Sequence, residues 1–219
     1  TNVGFGGLGS YFFINEIAYH PRVADLVFVA TSRGIYRSTD NLQTWTQLYS
    51  TQTIREIEFH PTNNNIVYIV NNSVANAILV STDQGLSYTT SAALTGNGNS
   101  TNIKISTTPD CPTCVYTAST NGVWRSTDQG QNFTFLTNPA QSCDAFVVSD
   151  LDTSNMIYGY VDLERSTDGG QNFNQATFWS LGNTNGAGSG HQISFNTSTD
   201  YIHADLRNAR CLSGVYYVT

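Results

Sequence analysis

The chain has 219 residues, of which only 11% are charged, and its formal net charge is -7. It contains one lysine and no basic stretch, which excludes the electrostatic attraction that drives nucleic-acid binding. No segment approaches the roughly 20 consecutive apolar residues of a membrane-spanning helix. The length suits one domain over residues 1–219.

One octapeptide recurs four times along the chain. The copies read STDNLQTW, STDQGLSY, STDQGQNF and STDGGQNF, and they begin at Ser38, Ser81, Ser126 and Ser166. Each copy follows a short apolar strand and ends in an aromatic residue that opens another alternating segment. This pattern is typical of a hairpin turn.

The residues around each octapeptide divide into four short strands. Four strands in every 40 to 45 residues predict an all-β fold, a β-propeller of four-stranded antiparallel blades. His20-Pro21 and His60-Pro61 follow the first strand of units one and two, where they punctuate a turn. The expected blades cover approximately residues 14–50, 54–91, 102–137, 144–179 and 191–219, the last of them incomplete.

The residue types of the octapeptide suit a structural role. Ser and Asp side chains bind nearby turn amides, Gly tolerates positive φ, and the aromatic residue packs between sheets. We therefore expect a structural function for Ser38, Asp40, Ser81, Asp83, Gly85, Ser126, Asp128, Gly130, Ser166, Asp168 and Gly170. Leu42 stands at the glycine position of the first copy, so that turn is expected to be strained or differently shaped.

The four octapeptides resemble the Asp-box, or BNR, repeat, whose pattern is Ser-x-Asp-x-Gly-x-x-aromatic. Proteins with such repeats include sialidases, xyloglucanase-like glycoside hydrolases and Vps10-type sorting receptors. The resemblance implies the propeller fold and leaves the function open among these classes.

The chain resembles two classes of enzyme, but its residues at the relevant positions do not indicate the chemistry of either class. Arg37, Arg125 and Arg165 directly precede a box serine, so they indicate a repeated structural position rather than a sialidase pocket. Ser32-Arg33-Gly34 occupies the stretch where xyloglucanase-like enzymes carry an Asp-x-Gly-Gly segment with a catalytic carboxylate. A serine cannot replace that general acid or base at neutral pH.

Four cysteines permit three pairings or free thiols. In an oxidising environment we expect disulfides between Cys111 and Cys114 and between Cys143 and Cys211. A single Cys-x-x-Cys supplies half a zinc site, and we predict no metal and no cofactor.

The last unit departs from the pattern. Residues 214–219 align with the third strand of unit one, so the chain is expected to be part of a larger propeller. The alternative is a closed five-bladed propeller completed by the N-terminal segment. His203, Asp205 and Trp179 are candidate ligand-binding residues, because they interrupt the repeat with polar or aromatic side chains.

These observations predict a non-catalytic module that is secreted or displayed at the cell surface, binds a protein or glycan, and belongs to a larger polypeptide or extracellular assembly. No catalytic residue is assigned. The first alternative is a glycoside hydrolase, with Asp150, Asp152, Asp162 and Glu164 as local carboxylates and others outside this segment. The second alternative is a Vps10-like sorting receptor domain.

Overall fold

In the computed structural model, the described residues form six antiparallel sheets and no helix. The structure describes residues 13–50, 52–71, 77–97, 102–139, 141–178, 191–193, 201–202 and 209–218. Four sheets have four strands each, and their strands follow one another in chain order. The expected all-β propeller is confirmed, with four complete blades among these residues.

The four blades have similar strand positions. Blade 1 contains β1 (Ile14–Tyr19), β2 (Val27–Thr31), β3 (Gly34–Ser38) and β4 (Thr46–Ser50). Blade 2 contains β5 (Ile54–Phe59), β6 (Val67–Asn71), β7 (Ala77–Ser81) and β8 (Thr89–Thr90). Blade 3 contains β9 (Lys104–Thr107), β10 (Val115–Ser119), β11 (Gly122–Ser126) and β12 (Thr134–Thr137). Blade 4 contains β13 (Ala145–Val148), β14 (Met156–Gly159), β15 (Leu163–Ser166) and β16 (Asn174–Gln175).

Within the range 191–219, expected as one incomplete blade, the described residues belong to two sheets. A three-stranded sheet contains β17 (Thr177–Phe178), β18 (His191–Ile193) and β19 (Tyr201–Ile202). A separate hairpin contains β20 (Ala209–Leu212) and β21 (Val215–Val218). Because β20 packs beside β13, the hairpin begins the next position around the axis. The alignment of residues 214–219 with a third strand therefore does not match the sheet order.

The hydrophobic core consists of layers between successive blades. One layer joins blades 1 and 2, a second joins blades 2 and 3, and a third joins blades 3 and 4. A smaller layer joins blade 4 to the β20–β21 hairpin. The second strands of all four blades are fully buried, which explains why their sequences are almost continuously apolar rather than alternating.

The turn at Leu42 keeps the shape of the other three octapeptides and carries backbone strain. Asn41 and Leu42 have φ values of 54° and 72°, close to the 59° and 83° of Gln84 and Gly85. The amide of Leu42 still donates to Ser38 Oγ at 2.9 Å. Of the two expected outcomes, a strained turn or a differently shaped one, the structure shows the strained turn. A side chain in the left-handed region of φ costs about 1 kcal/mol.

Glycine at this position also allows the previous blade to approach. A Cβ at Gly85 would lie 2.5 Å from the Phe28 ring of blade 1, and one at Gly130 would lie 3.1 Å from the Tyr68 ring of blade 2. Both rings belong to the second strand of the preceding blade. The box glycine therefore serves the packing of blades as well as the turn.

Gly85→Ala should destabilise the protein more than Gly169→Ala. Both glycines have positive φ, but a Cβ at Gly169 meets nothing within 4 Å. The backbone strain of about 1 kcal/mol is common to both variants, while the collision with Phe28 adds about 1–3 kcal/mol in Gly85→Ala alone. Urea unfolding of the two variants measures the difference. Equal losses of stability would contradict the role of close blade packing.

Candidate functional site

The inner strands of the blades enclose a cavity of about 950 Å³. It is lined by β1, β5, β9, β13 and β20, which lie around one axis, and by the turns that follow the first strands of the blades. Ligands commonly bind in concave sites of this size. The cavity is therefore the candidate functional site.

Three glutamates in the cavity connect neighbouring blades. The amide of Ile57 donates to Glu16 Oε2 at 2.7 Å, and the amide of Ile105 donates to Glu56 Oε2 at 3.1 Å. Glu58 accepts a hydrogen bond from the Thr107 hydroxyl at 2.8 Å. In each case a carboxylate of one blade binds a group on the inner strand of the next.

Lys104 forms an ion pair with Glu56, in which Nζ lies 2.6 Å from Oε1. Both side chains are about four-fifths buried. Glu56 is therefore held by a cation as well as by a backbone amide. Such a carboxylate is committed to the contact between blades 2 and 3, because breaking a largely buried pair leaves an uncompensated charge.

Burial changes the titration of the two other glutamates. The pKa of Glu16 is raised to about 7, chiefly by burial and to a smaller extent by the neighbouring Glu56 and Glu58 carboxylates, while the Ile57 amide opposes the change. Burial likewise raises the pKa of Glu58 to about 7, against the opposing hydrogen bond from Thr107. Both groups therefore titrate near neutral pH.

Apolar side chains and a cation face the same space. Ile17 and Tyr19 on β1 are 52% and 58% exposed, whereas the equivalent Ile57 of blade 2 is only 4% exposed. Leu212 and Arg210 on β20 are also exposed and line the cavity. The cavity thus offers apolar, aromatic and cationic contacts, while its glutamates hold the blades together.

The four octapeptides make the same set of local contacts. Each box serine donates to Oδ1 of the box aspartate at 2.7–2.8 Å and accepts the amide four residues later at 2.7–2.9 Å. Each aspartate also accepts the amide and the side chain of the residue four positions after it. None of these aspartates lines the cavity.

These hydrogen bonds stabilise the ionised box aspartates. The pKa of Asp40 falls to about 2, chiefly through the hydroxyl of Thr44. The pKa of Asp128 and that of Asp168 also fall to about 2, chiefly through the amides of Asn132 and Asn172. A carboxylate with this pKa is unsuited to general acid or base catalysis at neutral pH, which favours the structural role.

One of the two expected disulfides forms. Cys111 is bonded to Cys114, as expected, and a structural disulfide is characteristic of oxidising compartments. The expected bond between Cys143 and Cys211 is wrong, because both are free thiols. Cys143 is buried between blades 3 and 4, and Cys211 donates to Asp150 Oδ1 at 3.4 Å.

The other carboxylates singled out in the sequence do not gather at one place. Asp150 lines the cavity and fixes the β20–β21 hairpin by accepting the amides of Ser213 and Gly214 at 2.6 and 2.8 Å. Asp152, Asp162 and Glu164 do not line the cavity.

The three candidate ligand-binding residues, Trp179, His203 and Asp205, lie outside the described residues. Sequence reasoning missed Glu16, Glu56 and Glu58. A signal was present, since INEIAYHP and IREIEFHP place a glutamate at the same position of the first strand.

Repeated turns, four-stranded blades and an axial cavity define a repeat β-propeller. The model of the Sortilin-Vps10 family, described as sortilin, neurotensin receptor 3, matches residues 33–219. The chain therefore belongs to this family. No curated protein matches the chain by sequence.

Solved structures with similar folds include both enzymes and a peptide-binding protein. An ancestral GH74 enzyme has a TM-score of 0.62 at 15% identity, over 94% of this chain and 28% of that chain. The GH74 xyloglucanase from Xanthomonas campestris has a TM-score of 0.57 at 15% identity, over 73% and 29%. YCF48 bound to D1 peptide has a TM-score of 0.55 at 13% identity, over 90% and 56%.

These likenesses establish the fold alone. The chain spans less than a third of the length of the GH74 enzymes it resembles. The described residues include no helix that is long and apolar enough to cross a membrane.

Ser126→Ala should destabilise the protein by about 1–3 kcal/mol, because the buried amide of Gly130 loses its acceptor. Thr134→Ala, at an exposed position of β12, is the control and should change the free energy of unfolding by less than about 0.5 kcal/mol. Chemical denaturation measures both. A Ser126→Ala protein as stable as the control would argue against a structural role for the box.

Glu16→Gln should reduce the loss of stability that the wild-type protein undergoes as the pH rises. The pKa of Glu16 is about 7 when folded and has an ordinary value of 4.5, so the folded state holds the proton more tightly. This stabilisation is complete below pH 4.5 and is lost as the pH rises through 7. Glutamine cannot titrate and retains an acceptor for Ile57.

The measurement is the free energy of unfolding of Glu16→Gln and wild type at pH 5 and pH 8. The variant should gain stability relative to the wild type at pH 8, and a Glu16→Gln/Glu58→Gln double variant should gain more. An unchanged difference between the two pH values would refute the assignment.

Proposed function

We propose that this chain is the non-catalytic, ligand-binding propeller of a secreted or cell-surface protein, and that its cavity binds an extended protein segment. The observation that carries the proposal is that the glutamates and the apolar side chains of the cavity have different roles. The glutamates bind neighbouring blades, whereas Ile17, Tyr19 and Leu212 remain exposed. Exposed apolar and aromatic groups in a concave site are the usual anchors for a peptide.

Three further findings support this function. The chain belongs to the Sortilin-Vps10 family, and YCF48, a propeller of similar fold, is bound to D1 peptide. The Cys111–Cys114 disulfide suits an extracellular or luminal setting.

The binding test is a screen of the purified chain against an array of random 12-residue peptides, followed by fluorescence anisotropy with the labelled hits. Tyr19→Asp, which places a charge among the apolar groups of the cavity, should weaken binding at least tenfold. Leu86→Asp is the matched control, because Leu86 is 61% exposed on the box turn of blade 2 and does not line the cavity. Equal binding by both variants, or the absence of any hit, would reject the cavity as a peptide site.

A glycoside hydrolase is the second candidate, favoured by one observation. Glu16 and Glu58 lie in the cavity and each has a pKa of about 7, which suits a general acid. Release of reducing sugar from xyloglucan oligosaccharides by the wild type, with loss of that activity in Glu58→Gln, would support this candidate over the first. Absence of turnover would leave the glutamates as contacts between blades.

A further inference from the structure

His20 and His60 occupy equivalent positions directly after the first strands of blades 1 and 2. Each ring is buried, with 6% and 3% of its residue surface exposed. His20 Nδ1 accepts the amides of Arg22 and Val23 at 3.2 and 3.0 Å. His60 Nδ1 accepts the amides of Thr62 and Asn63 at 3.1 and 2.9 Å. One unprotonated nitrogen therefore closes each turn.

In blades 3 and 4 a hydroxyl, rather than a titratable group, accepts the amide that closes the corresponding turn. Thr108 Oγ1 accepts the amide of Asp110 at 3.3 Å, and Ser149 Oγ accepts the amide of Leu151 at 3.2 Å. Both side chains are buried at the position that His20 and His60 occupy in their blades. A hydroxyl accepts these amides at any pH between 5 and 8. Among the four described blades, two turns are thus closed by imidazole and two by hydroxyl.

The imidazole turns are connected to the cavity and to each other. Arg22, whose amide is held by His20, donates from Nε to Asn64 Oδ1 and from Nη2 to the carbonyl of His60, both at 2.7 Å. Its Nη1 also donates to the carbonyl of Pro61. Arg22 and His60 line the cavity. Opening either turn therefore disturbs the wall of the cavity between blades 1 and 2.

We propose that His20 and His60 form an acid-sensitive latch on the cavity. Protonation of the imidazoles between pH 7.5 and pH 5.5 shifts the turns of blades 1 and 2 toward the open state, while the turns of blades 3 and 4 are not affected. An imidazolium carries hydrogen on both nitrogens, so Nδ1 can no longer accept the two amides. The latch depends on this geometry and not on which ligand the cavity binds.

The surroundings of the two rings disfavour a charged imidazole in the closed turn, which also favours opening of the turns at low pH. Burial lowers the pKa of both histidines, and the Arg22 guanidinium lowers it further, while the backbone of Asn64 opposes the change at His20. The carboxylates on adjacent elements are occupied elsewhere, since Glu58 binds Thr107 and Asp110 accepts the amide of Thr153 at 2.9 Å. Arg22 is thus the charged group that acts on both rings.

The size of the effect follows from proton linkage. An opened turn exposes an imidazole with its ordinary pKa of 6.5, whereas the closed turn keeps a neutral ring. Acidification from pH 7.5 to pH 5.5 therefore raises the equilibrium constant for opening by up to about tenfold for each turn. Glu16 and Glu58 have raised pKa values, so they gain protons over this range and stabilise the folded state. They act in the opposite direction.

Amide hydrogen exchange measured by mass spectrometry tests the latch, after correction for the intrinsic pH dependence of exchange. Peptides covering residues 20–26 and 60–66 should lose about tenfold in protection between pH 7.5 and pH 5.5. Peptides covering residues 108–114 and 149–155 are the internal controls and should not change. An equal loss in all four turns, or no loss in the first two, would overturn the proposal.

His60→Thr introduces the residue that blade 3 carries at this position. It should abolish the pH dependence of residues 60–66 while leaving that of residues 20–26. His60→Gln, whose side-chain oxygen also accepts amides, serves as a second variant if threonine prevents folding. Persistence of the pH dependence in the folded variant would show that another group is responsible and would overturn the assignment to His60.

Discussion

The innermost strand of each blade has an edge with no strand paired beside it, and the structure depends on how that edge is satisfied. Unpaired backbone amides are costly when they are buried. Side chains of the preceding blade accept them, through Glu16 for Ile57, Glu56 for Ile105, and Ser106 for Val148 at 3.1 Å. This arrangement draws polar groups to the axis, and it explains why a cavity exists there rather than an apolar core.

The same constraint decides the chemistry of the cavity. A glutamate that must accept an amide is shielded from water on one side, so burial raises its pKa. A carboxylate on an outer turn behaves differently. Asp128 receives several hydrogen bonds near solvent and has a lowered pKa. Carboxylates of this propeller thus differ by position, and the raised pKa values of Glu16 and Glu58 accompany structural contacts between blades.

The repeat and the positions of four blades could be predicted from sequence because they rest on local patterns. The octapeptides and the apolar strands are contiguous in the chain, so their spacing is visible without tertiary information. The Sortilin-Vps10 match agrees with the resemblance that these patterns indicated. Leu42 was also recognisable as a strained position, because the other three copies carry glycine there.

The site, and the fact that Cys143 and Cys211 are not bonded to each other, could not be predicted in this way. Cys143 and Cys211 belong to different layers of the structure, and their distance depends on how the β20–β21 hairpin packs on blade 4. Glu16 and Glu56 come together only when successive inner strands surround one axis. Blade 3 has Lys104 at the position that Glu16 and Glu56 occupy in blades 1 and 2. A search for identical residues therefore does not find a repeated glutamate acceptor.

Two kinds of contact hold this molecule together, and they differ in how far they reach along the chain. The box contacts close within a few residues and are nearly identical in every blade. The contacts between blades are individual, as the pairing of Glu56 with Lys104 shows. The blades therefore resemble one another in their internal contacts but differ in the contacts that each makes with the next blade. The side chains between neighbouring blades specify the order of the blades around the axis. Exchanging two blades would preserve the box contacts within each blade but would remove the matching contacts between blades.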